Sequence, residues 1–273
     1  MQGTTTTEIV QDKPSNGDDL KNLEMIEAGR KMIPRIPLIA RLDGRAFHTW
    51  TRGCKRPYDD AVQLCMLETT KELVEEFHAG LGYTQSDEIT LFWREPMHFD
   101  GRYQKMTSVL ASYAAAVFVR RADKLFPEKH RMIPSFDCRI WQVPSIQDVF
   151  DVFAWREDDA VKNSIAMAAQ SVFSHKELHN KGRVEMMDML HAKGINWNDY
   201  PAHFKRGVYV KRKVIERVLT EDERMRIPEK HRPPASQKFQ RGVIQTLDLP
   251  PIRQCEGIEG LFVHERKSHL EGE

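Results

Sequence analysis

The order of strand and helix patterns between residues 36 and 143 is the feature that most restricts how this chain folds. Apolar runs bounded by turn residues predict strands, and apolar residues that recur every three or four positions predict helices. In chain order the patterns predict a strand at 36–45, a helix after Asp59, strands at 80–84 and 89–93, a helix at 104–120 and a strand at 135–143. This β-α-β-β-α-β order predicts an α+β fold of the ferredoxin-like type, an antiparallel sheet with two helices on one face. Unrelated proteins share that fold, so it says little about activity by itself.

The segments on either side of this unit predict a short helical lead-in and a mixed C-terminal half. Helices are predicted at 19–32, 145–153, 158–173 and 184–193, and strands at 241–251 and 260–264. Residues 224–236 are charged and rich in proline, which is typical of a loop. The polar residues 1–18 are expected to form a flexible segment.

Composition places the chain among ordinary globular proteins and argues against several other classes. Its 273 residues are 40% hydrophobic and 30% charged, with a formal net charge of +1. No run approaches eighteen consecutive apolar residues, so no membrane span is expected, and the first residues lack the basic and apolar regions of a secretory signal. The four cysteines, Cys54, Cys65, Cys138 and Cys255, form no C-x-x-C pair. That spacing argues against a zinc site or a disulfide framework and favours a cytoplasmic protein.

Acidic residues stand at the ends of two strands that this topology makes neighbours. Asp43 ends the first strand, and Asp87 and Glu88 lie at the tip of the hairpin between the second and third. Because the first and third strands adjoin at the centre of such a sheet, Asp43 and Asp87 are expected to face each other. Two like charges so placed are unfavourable unless a cation neutralises them, and Mg²⁺ prefers hard oxygen ligands. We therefore predict a site for two Mg²⁺ ions, with Asp43, Asp87 and the backbone carbonyl of Gly44 as ligands.

Two such ions activate an attacking hydroxyl group and stabilise a leaving pyrophosphate, which is the chemistry of nucleotide polymerases and nucleotidyl cyclases. Each acidic motif alone has a simpler interpretation, because strand-end aspartates often cap turns and a Ser-Asp-Glu hairpin tip is often solvent-exposed. The presence of both motifs in this topology favours the metal site. Ser86 either bonds a phosphate group or shapes the turn.

A basic run lies between residues 203 and 217, where six Lys or Arg residues stand against one Glu. Such a run is typical of a phosphate-contacting surface, since charge neutralisation drives nucleic-acid binding. The alternative is a solvated basic face. The candidate RNA contacts are Lys205, Arg206, Lys211 and Arg212. Four histidines, His175, His179, His191 and His203, lack the spacing of metal ligands and are expected at the surface or facing RNA.

Several segments together resemble the tRNA-His guanylyltransferase-like family, the 3′–5′ polymerases. The similar segments include RLDGRAFHTWTRGCKRPYDD, GYTQSDEITLFW, GRYQKMTSVLAS, FDCRIW, WREDDAVKNSIAMAAQSVFSHKEL and KGINWNDYPAHFKRGVYVK. They lie within residues 19–213, about 70% of the chain. The first two are specific when taken together, and the last two resemble the bacterial and phage-type branch more than the eukaryotic enzymes.

The resemblance implies a polymerase-type palm that adds nucleotides to the 5′ end of tRNA. It implies that Asp43 and Asp87 bind metal with Gly44, and that Glu88 is an essential acidic residue. The segment Arg45, Ala46, Phe47 and His48 would line the nucleotide pocket. Four further residues would lie near the triphosphate: Arg56, Ser86, Arg102 and Lys105. The implied substrates are tRNA and GTP, with ATP where a 5′ monophosphate requires activation, and relatives form homo-tetramers.

The same resemblance divides the chain into three parts. Residues 1–18 would be the flexible segment, 19–145 the palm catalytic domain, and 146–273 a region packed on the palm that contacts tRNA and forms subunit interfaces. Eukaryotic members carry a His-Ile-Asn-Asn-type segment that aligns with residues 161–164, and here only Asn163, a candidate tRNA contact, is kept. Val161 replaces the histidine linked to anticodon-dependent recognition, which favours templated repair of truncated tRNAs over strict addition to tRNA-His.

Two other functions are consistent with parts of the sequence. A nucleotidyl cyclase-like enzyme that acts on a free nucleotide would share Asp43 and Asp87 but would not use the basic run. A non-catalytic RNA-binding module would have no need of three retained carboxylates, which destabilise a fold when they are buried without a cation. The chain has no G-x-x-x-x-G-K-[ST] loop, so ATP would have to bind at or near the palm site.

Overall fold

The predicted β-α-β-β-α-β unit is present in the computed structural model, which describes residues 16–95, 98–255 and 259–262. The strands are β1 (Leu38–Arg45), β2 (Leu81–Gln85), β3 (Glu88–Trp93), β4 (Ser135–Gln142), β5 (Val208–Val218) and β6 (Lys238–Leu247). The helices are α1 (Asn16–Ala28), α2 (Phe47–Trp50), α3 (Asp60–Glu76), α4 (Tyr103–Leu125), α5 (Ile146–Gln170), α6 (His175–Leu178), α7 (Arg183–Ala192), α8 (Ala202–Arg206), α9 (Glu221–Met225) and α10 (Glu259–Phe262).

A single six-stranded antiparallel sheet, in the order β4-β1-β3-β2-β5-β6, forms the centre of the molecule. The first four strands have the order expected of the ferredoxin-like fold, so the predicted α+β class is confirmed. Strands β5 and β6 extend the same sheet on the β2 side. The C-terminal half is therefore joined to the palm through backbone hydrogen bonds.

The central strands β1, β2 and β3 are buried on both faces. On one face Leu38, Ala40 and Leu42 of β1 pack with residues of α3 and α4, and on the other Ile39 packs with Phe153 of α5. This explains why β1 begins with three consecutive apolar residues, Leu38, Ile39 and Ala40, since an alternating pattern is expected only where one face meets solvent.

Local sequence fixes the helices that flank the site. The Asp59 carboxylate caps α3 by accepting hydrogen bonds from the backbone N–H groups of Ala61, at 2.9 Å, and Val62, at 3.4 Å. Gly82 of β2 allows α3 to pack closely, because a Cβ atom there would lie 2.6 Å from a methyl carbon of Val74.

Two predictions about the C-terminal half are wrong. Residues 145–173 do not form two helices, because α5 continues through Arg156 and Glu157, whose buried charges are satisfied by partners within the protein. The predicted strand at 260–264 is a helix where it is described. Phe262 of α10 packs against Phe92 at 5.5 Å and Phe153 at 6.0 Å between ring centroids.

The predicted flexible segment lies outside the described residues as far as position 15, and residues 16–18 begin α1. Within the described part of the chain, no helix combines the length and the apolarity that crossing a lipid bilayer requires.

Candidate active site

The two acidic motifs meet at one corner of the sheet. Strands β1 and β3 are antiparallel neighbours in a register that sets Asp43 opposite Glu88. The backbone N–H of Gly44 donates to the carbonyl oxygen of Asp87 at 3.0 Å, which ties the end of β1 to the β2–β3 turn. Main-chain pairing therefore brings Asp43 and Asp87 together.

Among the described residues, the largest influences on the Asp87 carboxylate include no lysine or arginine. Burial raises the pKa of Asp87, and the charge of Asp43 raises it further. The Ser86 hydroxyl donates a hydrogen bond of 3.0 Å to the Asp87 carboxylate, and His48 lies nearby. Both lower the pKa of Asp87, but the net shift is still upward. Ser86 holds this position with a left-handed backbone, φ 53°. Two carboxylates in this setting favour a bound cation.

The donors at the corner suit magnesium better than zinc. Asp43 and Asp87 offer carboxylate oxygens, and Gly44 lies between them in the backbone hydrogen-bond network. Across the residues that the structure describes, no group of three or more His, Cys, Asp or Glu side chains is arranged to hold a metal ion. Mg²⁺ commonly uses one or two protein carboxylates and completes its shell with water and phosphate oxygens. The residues present fit such an ion.

Glu88 forms an ion pair with Arg156. Its two carboxylate oxygens accept from Arg156 Nε at 2.6 Å and Nη2 at 2.8 Å, and Arg41 Nε lies 3.8 Å away. Burial raises the pKa of Glu88, and the Arg156 guanidinium partly offsets that rise. Arg156 also donates to Asp159 at 3.1 Å. Glu88 therefore anchors α5 to the catalytic corner, an arrangement that differs from a free catalytic carboxylate.

The sequence reading missed Arg156 although a signal was present. Arg156 and Asp159 are three positions apart on one helix, a spacing at which side chains meet. The sequence analysis placed a break between two helices at this segment. Without a continuous helix, the helical spacing of Arg156 and Asp159 could not be recognised.

A cavity of about 310 Å³ lies on one side of Asp87. Its walls include seven residues predicted to bind nucleotide or metal: Gly44, Ala46, Phe47, His48, Arg56, Ser86 and Asp87. A Cβ atom at Gly44 would lie 2.4 Å from the ring of Phe47, so glycine is required for this close approach. The Phe47 ring also packs in the core against Phe118 and Phe136, at 5.2 Å each. Arg45 is exposed and does not line the cavity.

A second cavity, of about 500 Å³, lies on the other side of Asp87. Asp43 and Glu88 line it together with residues of α5, among them Arg156, Asp159 and Asn163. Asn163 is exposed and donates to Asp159 at 3.2 Å. Asp87 thus faces two spaces, one the size of a small ligand and one that opens along α5.

Arg102 and Lys105, predicted to lie near the triphosphate, line neither of the two cavities beside Asp87 within this chain. Both lie at the start of α4, where Tyr103 donates to Gln142, the register partner of Leu38. Leu38 and Asp43 are five residues apart on β1, about 17 Å along an extended strand. Within one chain the two basic residues are therefore at the opposite end of the sheet from the carboxylates. The reason is that α4 runs back along the sheet, so that its start and the catalytic corner lie at different ends.

The basic run does not form one surface. Lys211 is buried and donates to the carbonyl oxygen of Gly260 at 2.9 Å, so its prediction as an RNA contact is corrected. Arg212 packs over Gly242 and contacts His78 near the end of the sheet away from the carboxylates. Lys205 and Arg206 are half-buried on α8, and Arg206 lines a third cavity, of about 450 Å³.

One of the four histidines departs from the expected surface position. His203 of α8 lines the 310 Å³ cavity, and its ring meets Tyr58 edge-on at 5.5 Å between centroids. The other three are exposed. The sequence carried no periodic signal for His203, because the five-residue helix α8 is too short to show one.

The fold and the site define a class of protein, the palm-type nucleotidyltransferases. A ferredoxin-like sheet, two carboxylates at the ends of its central strands and an adjoining cavity for a small ligand are the parts that such chemistry requires.

Comparison with known proteins agrees with this class and narrows it. The sequence model of the family Thg1, tRNAHis guanylyltransferase, matches residues 18–144. The structure of a bacterial tRNA(His) guanylyltransferase (Thg1)-like protein in complex with ATP is 38% identical, with a TM-score of 0.68, over 72% of this chain and 86% of that one. A bacterial Thg1-like protein in complex with GTP is 34% identical, with a TM-score of 0.60, over 72% and 85%. The tRNA(His) guanylyltransferase of Debaryomyces hansenii is 28% identical over 70% of this chain and 78% of its own length.

The chain belongs to the tRNAHis guanylyltransferase (Thg1) family. The predicted family is confirmed, and the two structural matches are in keeping with a resemblance to the bacterial branch.

Proposed function

We propose that this chain is a Mg²⁺-dependent nucleotidyltransferase that adds nucleotides, GTP being favoured, to the 5′ end of tRNA in the 3′–5′ direction. Family membership supports the reaction class, and relatives of known structure were solved with ATP and with GTP. The chain is similar to proteins named as tRNA(His) guanylyltransferases, and this similarity weighs against a nucleotidyl cyclase or a non-catalytic RNA-binding module.

The position of Asp87 between two cavities is the observation that carries this proposal. The 310 Å³ cavity has room for a nucleotide, and Lys55, Arg56 and His48 give its wall the charge and hydrogen-bond donors that phosphate groups require. The cavity along α5 would receive the 5′ end of the RNA. Asp43 and Asp87 would hold Mg²⁺, which when bound stabilises the charge on the reacting phosphate and on the leaving pyrophosphate. We propose two ions by analogy with palm enzymes.

The substrate preference is proposed to be templated repair of 5′-truncated tRNAs, with guanosine addition to tRNA-His as the alternative. Val161 occupies the position at which eukaryotic members carry the histidine linked to the anticodon. Asn163, three residues from Ala160, bonds to Asp159 within its own helix and stays exposed along the second cavity. Base pairing with the opposite strand would select the nucleotide, so the protein would recognise mainly RNA shape and backbone.

Labelled nucleoside triphosphates and tRNAs that lack their first acceptor nucleotide test this proposal. We expect a truncated tRNA-His and two truncated tRNAs with other anticodons to be restored at single-turnover rates within about tenfold, a difference of about 1.4 kcal/mol. Strong restriction to the histidine anticodon would favour addition to tRNA-His. Extension only at 3′ ends would overturn the proposed direction.

We further propose that the chain acts as a homo-tetramer in the cytoplasm. Helix α1 presents an apolar stripe to solvent, with Leu20 61% and Ile26 74% exposed, as expected for a surface that meets another subunit. The four cysteines are free, which suits a reducing compartment. Light scattering during size-exclusion chromatography would give the mass of four chains.

A further inference from the structure

Residues 51–59 form a loop between α2 and α3 that supplies much of the wall of the 310 Å³ cavity; we call it the cavity loop. Seven of its nine residues line that cavity: Thr51, Cys54, Lys55, Arg56, Pro57, Tyr58 and Asp59. The side chains of Lys55 and Arg56 are exposed, so they are accessible to the phosphate groups of a ligand. The position of the loop therefore decides where these two cations stand relative to Asp87.

The cavity loop is held in two halves. In the first half the Cys54 N–H donates to the Thr51 carbonyl oxygen at 3.0 Å, which is a bond within the loop itself. Gly53 turns the chain there with a left-handed backbone, φ 86°. In the second half the Lys55 N–H donates to Asp59 Oδ2 at 2.9 Å, and Asp59 also caps α3. These bonds tie the second half to α3 but leave the first half to be held by something else.

A lysine from a distant part of the chain holds the first half. Lys129 ends the short turn Pro127–Lys129 between α4 and β4. Its ammonium group donates to the carbonyl oxygens of Trp50, at 2.9 Å, and Arg52, at 2.8 Å, across 79 and 77 residues of sequence. The same group lies 5.4 Å from the centroid of the Trp50 ring, which is only 4% exposed. Lys129 thus joins the start of the loop to the hydrophobic core.

This contact acts on the loop and not on the ligand. Lys129 is absent from the residues that line the 310 Å³ cavity, whereas the cations of the second half line it. A lysine that hydrogen-bonds the last carbonyl groups of a helical turn is a known form of C-terminal cap. A loop that is already ordered binds more tightly, because less conformational freedom is lost when the ligand arrives.

We propose that Lys129 is a positioning residue: by holding the first half of the cavity loop, it sets where Lys55 and Arg56 meet the phosphate groups of a nucleotide. The inference rests on the proposed function of the cavity for the identity of its ligand. The way in which the loop is held can be tested without that function. The segment between α4 and β4 thereby influences the cavity although it does not line it.

Steady-state addition of GTP to a truncated tRNA gives the first test. Lys129→Met keeps the apolar stem over Trp50 and removes the donors. It should raise KM for GTP at least about tenfold and leave kcat within about threefold, because a displaced loop weakens ground-state and transition-state binding alike. Lys129→Arg, which can donate to both carbonyl oxygens, should stay within about threefold of the wild-type KM. Lys124→Met, at an exposed lysine in the last turn of α4, is the matched control and should have wild-type constants.

An unchanged KM in folded Lys129→Met, or a loss confined to kcat, would overturn the inference. If Lys129→Met does not fold, Lys129→Gln decides, since its amide can donate to only part of the acceptor pair and should raise KM at least about threefold.

A double-mutant cycle separates positioning from a direct effect of the Lys129 charge. When Lys55 and Arg56 are both replaced by Ala, the further change Lys129→Met should raise KM by less than about threefold, because the contacts that it positions are already lost. A full tenfold effect in that background would show that Lys129 acts independently of the loop cations and would overturn the proposal.

Alkylation of Cys54 by iodoacetamide, followed by peptide mass spectrometry, reports on the loop without nucleotide or RNA. Cys54 is half-buried, and Lys129→Met should raise its rate at least about threefold, with Cys255 unchanged as the internal reference. The charge of Lys129 lowers the pKa of Cys54, so its removal alone would raise that pKa and slow the reaction of the thiolate. A faster reaction therefore reports a loosened loop, and an equal or slower one would overturn the inference.

The two kinds of measurement distinguish failure of the inference from failure of the proposed function. Absence of nucleotide addition by the wild type would refute the proposed function, and the alkylation rates would still test how the loop is held. Normal addition by the wild type, with an unchanged KM in Lys129→Met, would refute the positioning role alone.

Discussion

Asp43 and Asp87 owe their proximity to backbone pairing, and their chemical character to burial. The Gly44–Asp87 hydrogen bond and the β1–β3 register place both residues before any ligand arrives. Burial and mutual repulsion make the charged pair costly, which is seen in the raised pKa of Asp87. This cost in stability is typical of functional sites and agrees with the proposed role of the corner.

Replacing either carboxylate tests this view. Asp43→Ala or Asp87→Ala should reduce nucleotide addition at least about a thousandfold, because each would remove a proposed metal ligand. The melting temperature should not fall, since each change relieves repulsion. Asp100→Ala, an exposed carboxylate at the other end of the sheet, is the matched control and should keep wild-type activity. A near wild-type rate for either corner variant at saturating Mg²⁺ would remove it from the metal site.

Single residues also show where sequence reasoning stops. Asp43, Gly44 and Asp87 were predictable because strand ends and a tight turn have local signals. Lys211 was misassigned because a charge count along the chain does not show that its ammonium group turns inward to Gly260. His203 was missed because its environment is assembled from α3, α8 and the residues before α3, which no local pattern records.

At the scale of elements, α5 is held to the catalytic corner by one ion pair. Arg156 binds Glu88 through two hydrogen bonds and stacks over the ring of Trp155, with 4.5 Å from the guanidinium carbon to the ring centroid. Two further buried bonds reinforce the helix one residue later, since Glu157 accepts from Tyr209 at 2.9 Å and from the backbone of Ile252 at 3.1 Å. These contacts fix the wall of the cavity proposed to receive RNA.

Breaking this buried ion pair should lower the free energy of unfolding far more than breaking an exposed ion pair. Arg156→Met removes both hydrogen bonds of the buried Glu88 carboxylate and leaves it with the more distant Arg41, 3.8 Å away, so it should lower the free energy of unfolding by about 3–5 kcal/mol. The double variant Glu88→Gln with Arg156→Met should recover part of that loss. Arg139→Ala, which breaks an exposed pair with Asp137, should cost less than about 1 kcal/mol. Urea unfolding gives all of these values, and a cost below 1 kcal/mol for Arg156→Met would show that the pair is not needed to hold α5.

Elements were predicted well where a pattern was long and local. The four palm strands and their two helices were found, because burial on both faces gives apolar runs and Asp59 marks the start of α3. Helix α5 was divided because its centre carries charges that only the tertiary structure satisfies. Helix α4 was found, but its direction across the sheet was not, so the separation of Arg102 and Lys105 from the carboxylates within one chain was not foreseen.

At the scale of the whole molecule, the sheet continues from the palm into the C-terminal half. Strand β5 begins beside β2 near the catalytic corner and carries the basic run away from it. The charges of that run are therefore spread over the length of the sheet. Arg206, on α8 before β5, lines the 450 Å³ cavity, and Lys205 precedes it on the same helix.

This arrangement predicts unequal contributions to tRNA binding. The double variant Lys205→Ala with Arg206→Ala should weaken tRNA binding and reduce the slope of log affinity against log salt by about one to two, because each phosphate contact releases about one counterion. GTP binding should be unaffected. Lys211→Ala should instead lower the melting temperature, because it removes the bond to Gly260. A salt slope unchanged in the double variant would show that these two charges do not contact RNA.

The hydrogen bond from Gly44 to Asp87 makes one amide proton a reporter of the whole catalytic corner. That proton exchanges with deuterium only when the end of β1 separates from the β2–β3 turn, and the same separation would move the two carboxylates apart. Its exchange rate therefore measures how often the site loses its shape in solution, without substrate and without a catalytic assay. A rate equal to that of the central β1 amides would mean that the site is lost only on global unfolding. A faster rate would mean that the corner opens on its own, and deuterium uptake with and without Mg²⁺ would show whether the ion closes it.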